Sequence, residues 1–382
     1  MSLIKKILIV ILISVATIKI ADVSFGFFQS QSLSSSLTKG TDRSIVLREF
    51  NPNQHASIRP NNNYIKDVEN LAQIYYEINI DKNGFISTGN QVEFNPEIKI
   101  LFLGGSTTET LFVSEKNRFP SVVERNLRSQ LTQTINVFNG GVSGNSSMHS
   151  IFALMAKGIP LKPDYVVLMH NMNDLALLSK TESYWIAPKS RAVLLSNNYL
   201  KPSKIEDLSR SIFFNLIKTA KDILAPNLYA YLRPRLFQNV RLHHDEFEGF
   251  AKNYIDLDLD LIEQLFRSSI TSFVKISRAW KIKPILMTQG NRIDHNLEYF
   301  QKWVVRYQRG EMTAREFSDL YARMNQITRE VAIQENVTLI DLDSQIPKTN
   351  EFLYDTIHLN QAGSILMGEL VSKKLAEVIQ SH

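Results

Sequence analysis

A series of short apolar runs, each closed by glycine or by polar turn residues, recurs along the chain: EIKILFLGG (97–105), INVFNGG (135–141), PDYVVLMH (163–170), KPILMTQG (283–290) and VTLIDLD (337–343). Runs of this length without polar alternation read as strands buried on both faces. Amphipathic stretches separate most of them: FPSVVERNLRSQL, a long stretch near 247–279, one near 313–335 and a last at 361–379. Strands alternating with helices predict an α/β fold, a three-layer α/β/α sandwich around a five-stranded parallel sheet. Residues 175–245 do not fit the alternation. They contain Trp185, a helical stretch IEDLSRSIFFNLIKTAKDIL and YAYLRPRLF. This is an insertion, either a lid or membrane-facing cap or a set of extra packing helices.

The 382 residues suffice for one large domain or two smaller ones. A net charge of +5 is mild and spread along the chain. It suits acidic surfaces such as anionic lipid or polysaccharide and argues against a nucleic-acid partner. The absence of cysteine excludes disulfides, thiolate metal sites, a Cys nucleophile and a lipidated N-terminal Cys. Lys5 and Lys6 precede an apolar run from Ile7 to Ile18, and Lys19 and Asp22 interrupt a further run through Phe28. A basic flank before a short apolar core is the design of a secretory signal or signal anchor. Without a small-x-small cleavage site before Lys19, residues 1–28 are expected to be an uncleaved single-pass anchor. The basic flank would stay inside and the rest would be periplasmic or at the cell surface; cleavage would make the protein secreted. A buried N-terminal helix is the alternative. Residues 29–63 are rich in Ser, Asn, Gln and Thr and read as a stalk. YYEINIDKNGFIS reads as a short hairpin turning at Asn83-Gly84. Residues 29–96 are thus a stalk and N-terminal extension, and 97–382 the main domain.

In an open parallel sheet, ligands bind outside the C-terminal strand ends. Ser106 follows Gly104-Gly105 at such an end, and its hydroxyl is a nucleophile only where a base takes the proton. Asp355 and His358 lie three apart just before the last helix, so Asp355 can orient the imidazole and leave Nε2 to face Ser106. A developing oxyanion needs donors. Asn139-Gly140-Gly141-Val142-Ser143-Gly144 offers backbone N–H groups near glycine, Asn171-Met172-Asn173-Asp174 offers the Asn173 amide, and the Ser106 N–H is a third donor. Each block has a bland reading: Ser106 as a phosphate-binding turn, Gly144 as a purely conformational glycine, Asn173 and Asp174 as helix caps, and His358 as a surface histidine. No Lys follows Ser106 as in a P-loop, and there is no G-x-S-x-G elbow.

Four short blocks in the order Ser, Gly, Asn, Asp-x-x-His resemble the SGNH hydrolase superfamily (GDSL-like lipases and acylhydrolases), across about residues 97–379. YEINIDKNGF and GGSTTE…RFP look similar to its membrane-anchored members. The resemblance implies an SGNH, flavodoxin-like sandwich with Ser106 as nucleophile, His358 as base, Asp355 orienting His358, and Ser106, Gly144 and Asn173 forming the oxyanion hole. It implies a serine esterase or acylhydrolase that cleaves an acyl or acetyl ester on a cell-surface carbohydrate or lipid, without metal or organic cofactor. An O-acyltransferase using the same triad and a non-catalytic binding protein of the same fold remain as alternatives. Two positions depart from the family pattern. Gly105 replaces the usual Asp of Gly-Asp-Ser, and Asn171 replaces the Gly of Gly-x-Asn-Asp, which stands to crowd the pocket or to change which acyl group fits. Asp174 is expected to bond backbone around the Ser106 turn. His149 and His170 are expected to be packed. His243-His244-Asp245 lacks further ligands at metal-site spacing. The sequons at Asn145 and Asn336 fall where the fold needs packing or chemistry.

Overall fold

The computed structural model describes residues 43–89, 95–196, 247, 250, 253–308 and 311–381. The chain divides into two compact units, Met1–Ser44 with Ser196–Asn215, and Ile45–Leu195 with Leu216–His382. The first lies almost wholly outside the described residues; the second carries the sheet. Its main elements, in order, are β1 (His55–Ile58), β2 (Tyr76–Asn79), β3 (Ile98–Gly104), α1 (Phe119–Gln130), β4 (Ile135–Gly141), α2 (Ser147–Ala153), β5 (Tyr165–Met169), α3 (Met172–Thr181), α4 (Leu259–Ala279), β6 (Lys283–Met287), α5 (Glu298–Gln308), α6 (Ala314–Gln334), β7 (Thr338–Ile340) and α7 (Gln361–Gln380).

Strands β3 to β7 form one parallel sheet in the order β4-β3-β5-β6-β7. Side chains alternate between its faces. Ile100 and Phe102 join α1 and α7 in one buried cluster. Leu101 and Leu103 join α2, α3, α4 and α6 in the other. This is the expected three-layer sandwich. The chain runs from β3 outward to β4 and then returns to β5 on the other side of β3. With right-handed crossovers, that reversal puts α1 and α2 on opposite faces and opens a crevice above β3. The C-terminal ends of β3, β4 and β5 are therefore neighbours, and they carry Ser106, Gly144 and Asn173.

The helices begin where side chains cap them. Asp258 accepts from the Leu261 N–H, so α4 starts at Leu259 and not near 247. Thr313 and Glu316 form a reciprocal capping box at α6. Helix α5 has no counterpart in the sequence reading. The helical stretch expected at 205–224, the pair His243-His244 with Asp245, and residues 1–28 lie outside the described residues. Among the described residues no helix is long and apolar enough to cross a membrane.

Residues 45–63, read from sequence as stalk, fold with the sheet unit. HASI is a mostly exposed strand that pairs antiparallel with β2, His55 opposite Asn79. Pairing, not apolar periodicity, makes it a strand. The expected hairpin is short: the Asp81 carboxylate accepts from the Asn83 and Phe85 N–H groups, and Ile80 bridges Ile86. The Ile86 N–H then donates to the Asn139 carbonyl of edge strand β4 at 2.9 Å, with Ile78, Ile80 and Ile86 buried beneath. The extension thus covers an otherwise open sheet edge.

Candidate active site

Ser106 opens a one-turn helix, Ser106–Glu109, directly after β3. On the loop before α7, Asp355 Oδ1 accepts from the backbone N–H groups of Ile357 (2.9 Å) and His358 (2.7 Å). Its Oδ2 lies 2.7 Å from His358 Nδ1. His358 Nε2 lies 2.7 Å from Ser106 Oγ. With the ring proton on Nδ1 donated to Asp355, Nε2 accepts the serine hydroxyl, and the three side chains form one hydrogen-bonded line. The Tyr354 ring stacks on the imidazole at 5.6 Å and 7°. Burial would push the His358 pKa below its ordinary 6.5, but the Asp355 charge, their hydrogen bond and Glu109 outweigh it, and the net shift is upward. Burial would likewise raise Asp355; the His358 charge and the hydrogen bonds to its carboxylate outweigh that, and its pKa falls.

Ser106, Gly144 and Asn173 line one cleft of about 380 Å³ together with His358. Tyr64, Phe112, Arg191 and Trp303 add to its walls. The Asn173 amide donates one of its two hydrogens to the Asn145 carbonyl at 2.8 Å. Gly144 has φ +80°, a conformation that favours glycine. Gln289, at the end of β6, braces the floor. Its amide donates to Thr107 Oγ1 and its oxygen accepts from the Met172 N–H and the Tyr321 hydroxyl.

Two sequence expectations are corrected here. Asn171 does not crowd the cleft: its side chain turns away and donates to the Tyr321 carbonyl of α6 at 3.0 Å. Asp174 does not bond the Ser106 turn. Its carboxylate accepts from the Ser147 N–H and hydroxyl and from the Tyr184 hydroxyl, fixing the start of α2 after the Gly144 loop. Complete burial pushes Asp174 up to about 6. His149 and His170 are packed as expected. Burial, with Arg48 and Arg191 nearby, holds His149 down to about 3; burial and His149 hold His170 down to about 3. Asn145 of the first sequon is buried, but Asn336 of the second is exposed, against expectation. Among the described residues no group of three His, Cys, Asp or Glu is placed to hold a metal ion.

The sequence reading missed several residues around the site. Tyr64, from the extension, brings its hydroxyl to 3.4 Å from Asp355 Oδ2, and its ring packs near Phe112 and Tyr354. Asn61 caps the turn that carries it, so an Asn before Asn62–Ile65 was the available local signal. Glu109, in the GGSTTE run, is buried and accepts from the Ser143 hydroxyl. Burial pushes its pKa up against the pull of that hydrogen bond, His358 and Arg118.

No family model matches the chain, and no curated protein matches it. Solved structures give distant likenesses. A lipase/acylhydrolase from Enterococcus faecalis is 18% identical over 73% of this chain and 96% of its own, with TM-score 0.40. An acetylxylan esterase from Geobacillus stearothermophilus is 14% identical over 74% and 96%, with TM-score 0.41. An alpha/beta hydrolase from the metagenome of Lake Arreo, Spain, is 15% identical over 74% and 96%, with TM-score 0.41. Likeness at this level carries no functional weight.

Proposed function

We propose that the chain is a serine ester hydrolase of the SGNH type. The observation that carries the reading is the unbroken line from Asp355 through His358 to Ser106, with both links at 2.7 Å. In the first step Ser106 Oγ attacks the ester carbonyl carbon and its proton passes to His358 Nε2. The carbonyl oxygen gains the charge and is held by the Ser106 N–H, the Gly144 N–H and the second amide hydrogen of Asn173. The bond to the leaving alcohol breaks, and His358 returns the proton to that alcohol. Water, deprotonated by His358, then attacks the acyl carbon; its bond to Ser106 Oγ breaks, His358 returns the proton to Oγ, and the acid leaves. No step calls on a metal or an organic cofactor.

The substrate proposed is an acyl or acetyl ester on a cell-surface carbohydrate or lipid. The open cleft walled by Tyr64, Phe112 and Trp303 supports it, because aromatic faces suit sugar rings and acyl chains alike. The basic-then-apolar order of residues 1–28 supports a membrane-anchored, extracytoplasmic protein. Fractionating the full chain beside one that starts at residue 29 tests the anchor; equal membrane recovery of both removes it.

The catalytic reading is tested with p-nitrophenyl acetate, butyrate and octanoate, with and without an oligosaccharide acceptor. Wild type is expected to release nitrophenol, while Ser106→Ala and His358→Ala abolish release and keep the fold by circular dichroism. Acylated sugar among the products moves the activity from hydrolysis to acyl transfer by the same residues. Retained turnover in either purified variant sinks the mechanism.

A further inference from the structure

Two arginines outside the four motif blocks converge on the oxyanion loop. Arg48 Nη2 donates to the Ser143 carbonyl at 3.0 Å. Arg191 Nη1 donates to the Gly144 carbonyl at 2.6 Å. A Cβ on Gly144 would stand 2.5 Å from Arg191 Nη1 and 2.7 Å from Arg48 Nη1. Glycine is therefore required there for space as well as for its backbone angle. Arg48 comes from the N-terminal extension, and Arg191 lies inside the 175–245 stretch.

The planar trans peptide fixes what this means for catalysis. The Ser143 carbonyl and the Gly144 N–H belong to one rigid unit and point in opposite directions. Arg48 stands behind that unit, in the wall of a smaller cavity shared with His149 and Ala153. In front of it, Gly144 lines the cleft with Ser106 and Asn173. Holding the carbonyl back toward Arg48 aims the N–H forward. Glycine at φ +80° lets this peptide turn over easily, so the same freedom that permits the conformation calls for a clamp. The neighbouring groups are tied as well: the Ser143 hydroxyl donates to Glu109, and the Asn145 carbonyl accepts from Asn173. A cation on the carbonyl also polarises the peptide and strengthens its N–H as a donor.

We propose that Arg48, with Arg191 beside it, is a positioning residue of the oxyanion hole, fixing the Ser143–Gly144 peptide so that the Gly144 N–H meets the developing charge. The inference rests on the serine-hydrolase reading of the same site. It is tested on the full chain with Arg48→Gln, Arg48→Lys and Arg191→Gln, beside wild type and Ser106→Ala. The readouts are kcat and KM for p-nitrophenyl acetate and inhibition by a phenylboronic acid, whose adduct on Ser106 is tetrahedral and anionic. Arg48→Gln is expected to lower kcat by about 10-fold or more, less than the loss of a whole donor. KM should stay within about twofold, and boronate inhibition should weaken by a similar factor to kcat. Arg191→Gln gives a smaller fall of the same kind. If Arg48→Gln does not fold, Arg48→Lys carries the test: one donor on a flexible stem should still lower kcat severalfold at unchanged KM. Wild-type kcat in a folded Arg48 variant, or a rise in KM alone, overturns the inference while Ser106-dependent turnover stands. Wild-type turnover no greater than that of Ser106→Ala overturns the hydrolase reading, and this inference with it.

Discussion

At Gly105 a single missing methyl group decides whether Asn173 can reach the site. A Cβ there would lie 2.3 Å from Asn173 Nδ2 and 3.3 Å from the Asn145 carbonyl. Asn173 thus occupies the space that a side chain on residue 105 would take. Gly105→Ala should displace the amide and lower kcat on the order of 100-fold, as for a lost oxyanion donor; steady-state kinetics with a melting curve separate this from unfolding. The pH profile belongs to the same scale. On the proposed mechanism His358 acts as base only when neutral, and its pKa is raised above 6.5. Activity should therefore fall as pH is lowered, with a kcat/KM midpoint above 6.5. Asp355→Asn removes the charge that raises it, so the midpoint moves down and kcat drops roughly 10,000-fold. A wild-type midpoint below 6.5 contradicts the electrostatic account.

Among the elements, the N-terminal extension does more than its composition suggested. It covers the edge of β4 through Ile86 and delivers Tyr64 and Arg48 to the site. Ile86 is 1% exposed, and Ile86→Ala should cost about 2–5 kcal/mol in urea unfolding of the full chain. An unchanged midpoint would mean that the extension is not part of the cooperative unit. Strands β3 to β7 were legible in the sequence because strands covered on both faces must be continuously apolar. That Ser106, Asp355 and His358 meet was legible because their blocks fall at strand ends or before the last helix. Tyr64 and Arg48 were not, since they meet Asp355 and Ser143 across 291 and 95 residues. Asn171 and Asp174 were placed at the right strand end, but which way each side chain turns depends on Tyr321, Ser147 and Tyr184. No local pattern encodes those partners.

For the molecule as a whole, the strand order does the positioning. Because the chain reverses direction around β3, the ends of three adjacent strands and the loop before α7 meet over one crevice. His358 and Asp355 come from the far end of the chain, with His358 252 residues from Ser106. Folding itself thus assembles the site, and Ser106 should be singled out among the chain's serines. The measurement that tests this most directly is intact-mass and peptide mass spectrometry of the full chain after brief exposure to a fluorophosphonate. One adduct on Ser106 is expected in wild type, none in Ser106→Ala, and a much slower one in His358→Ala. No adduct in wild type, or one on a different serine at the same rate, would contradict the assignment of Ser106 as an activated nucleophile.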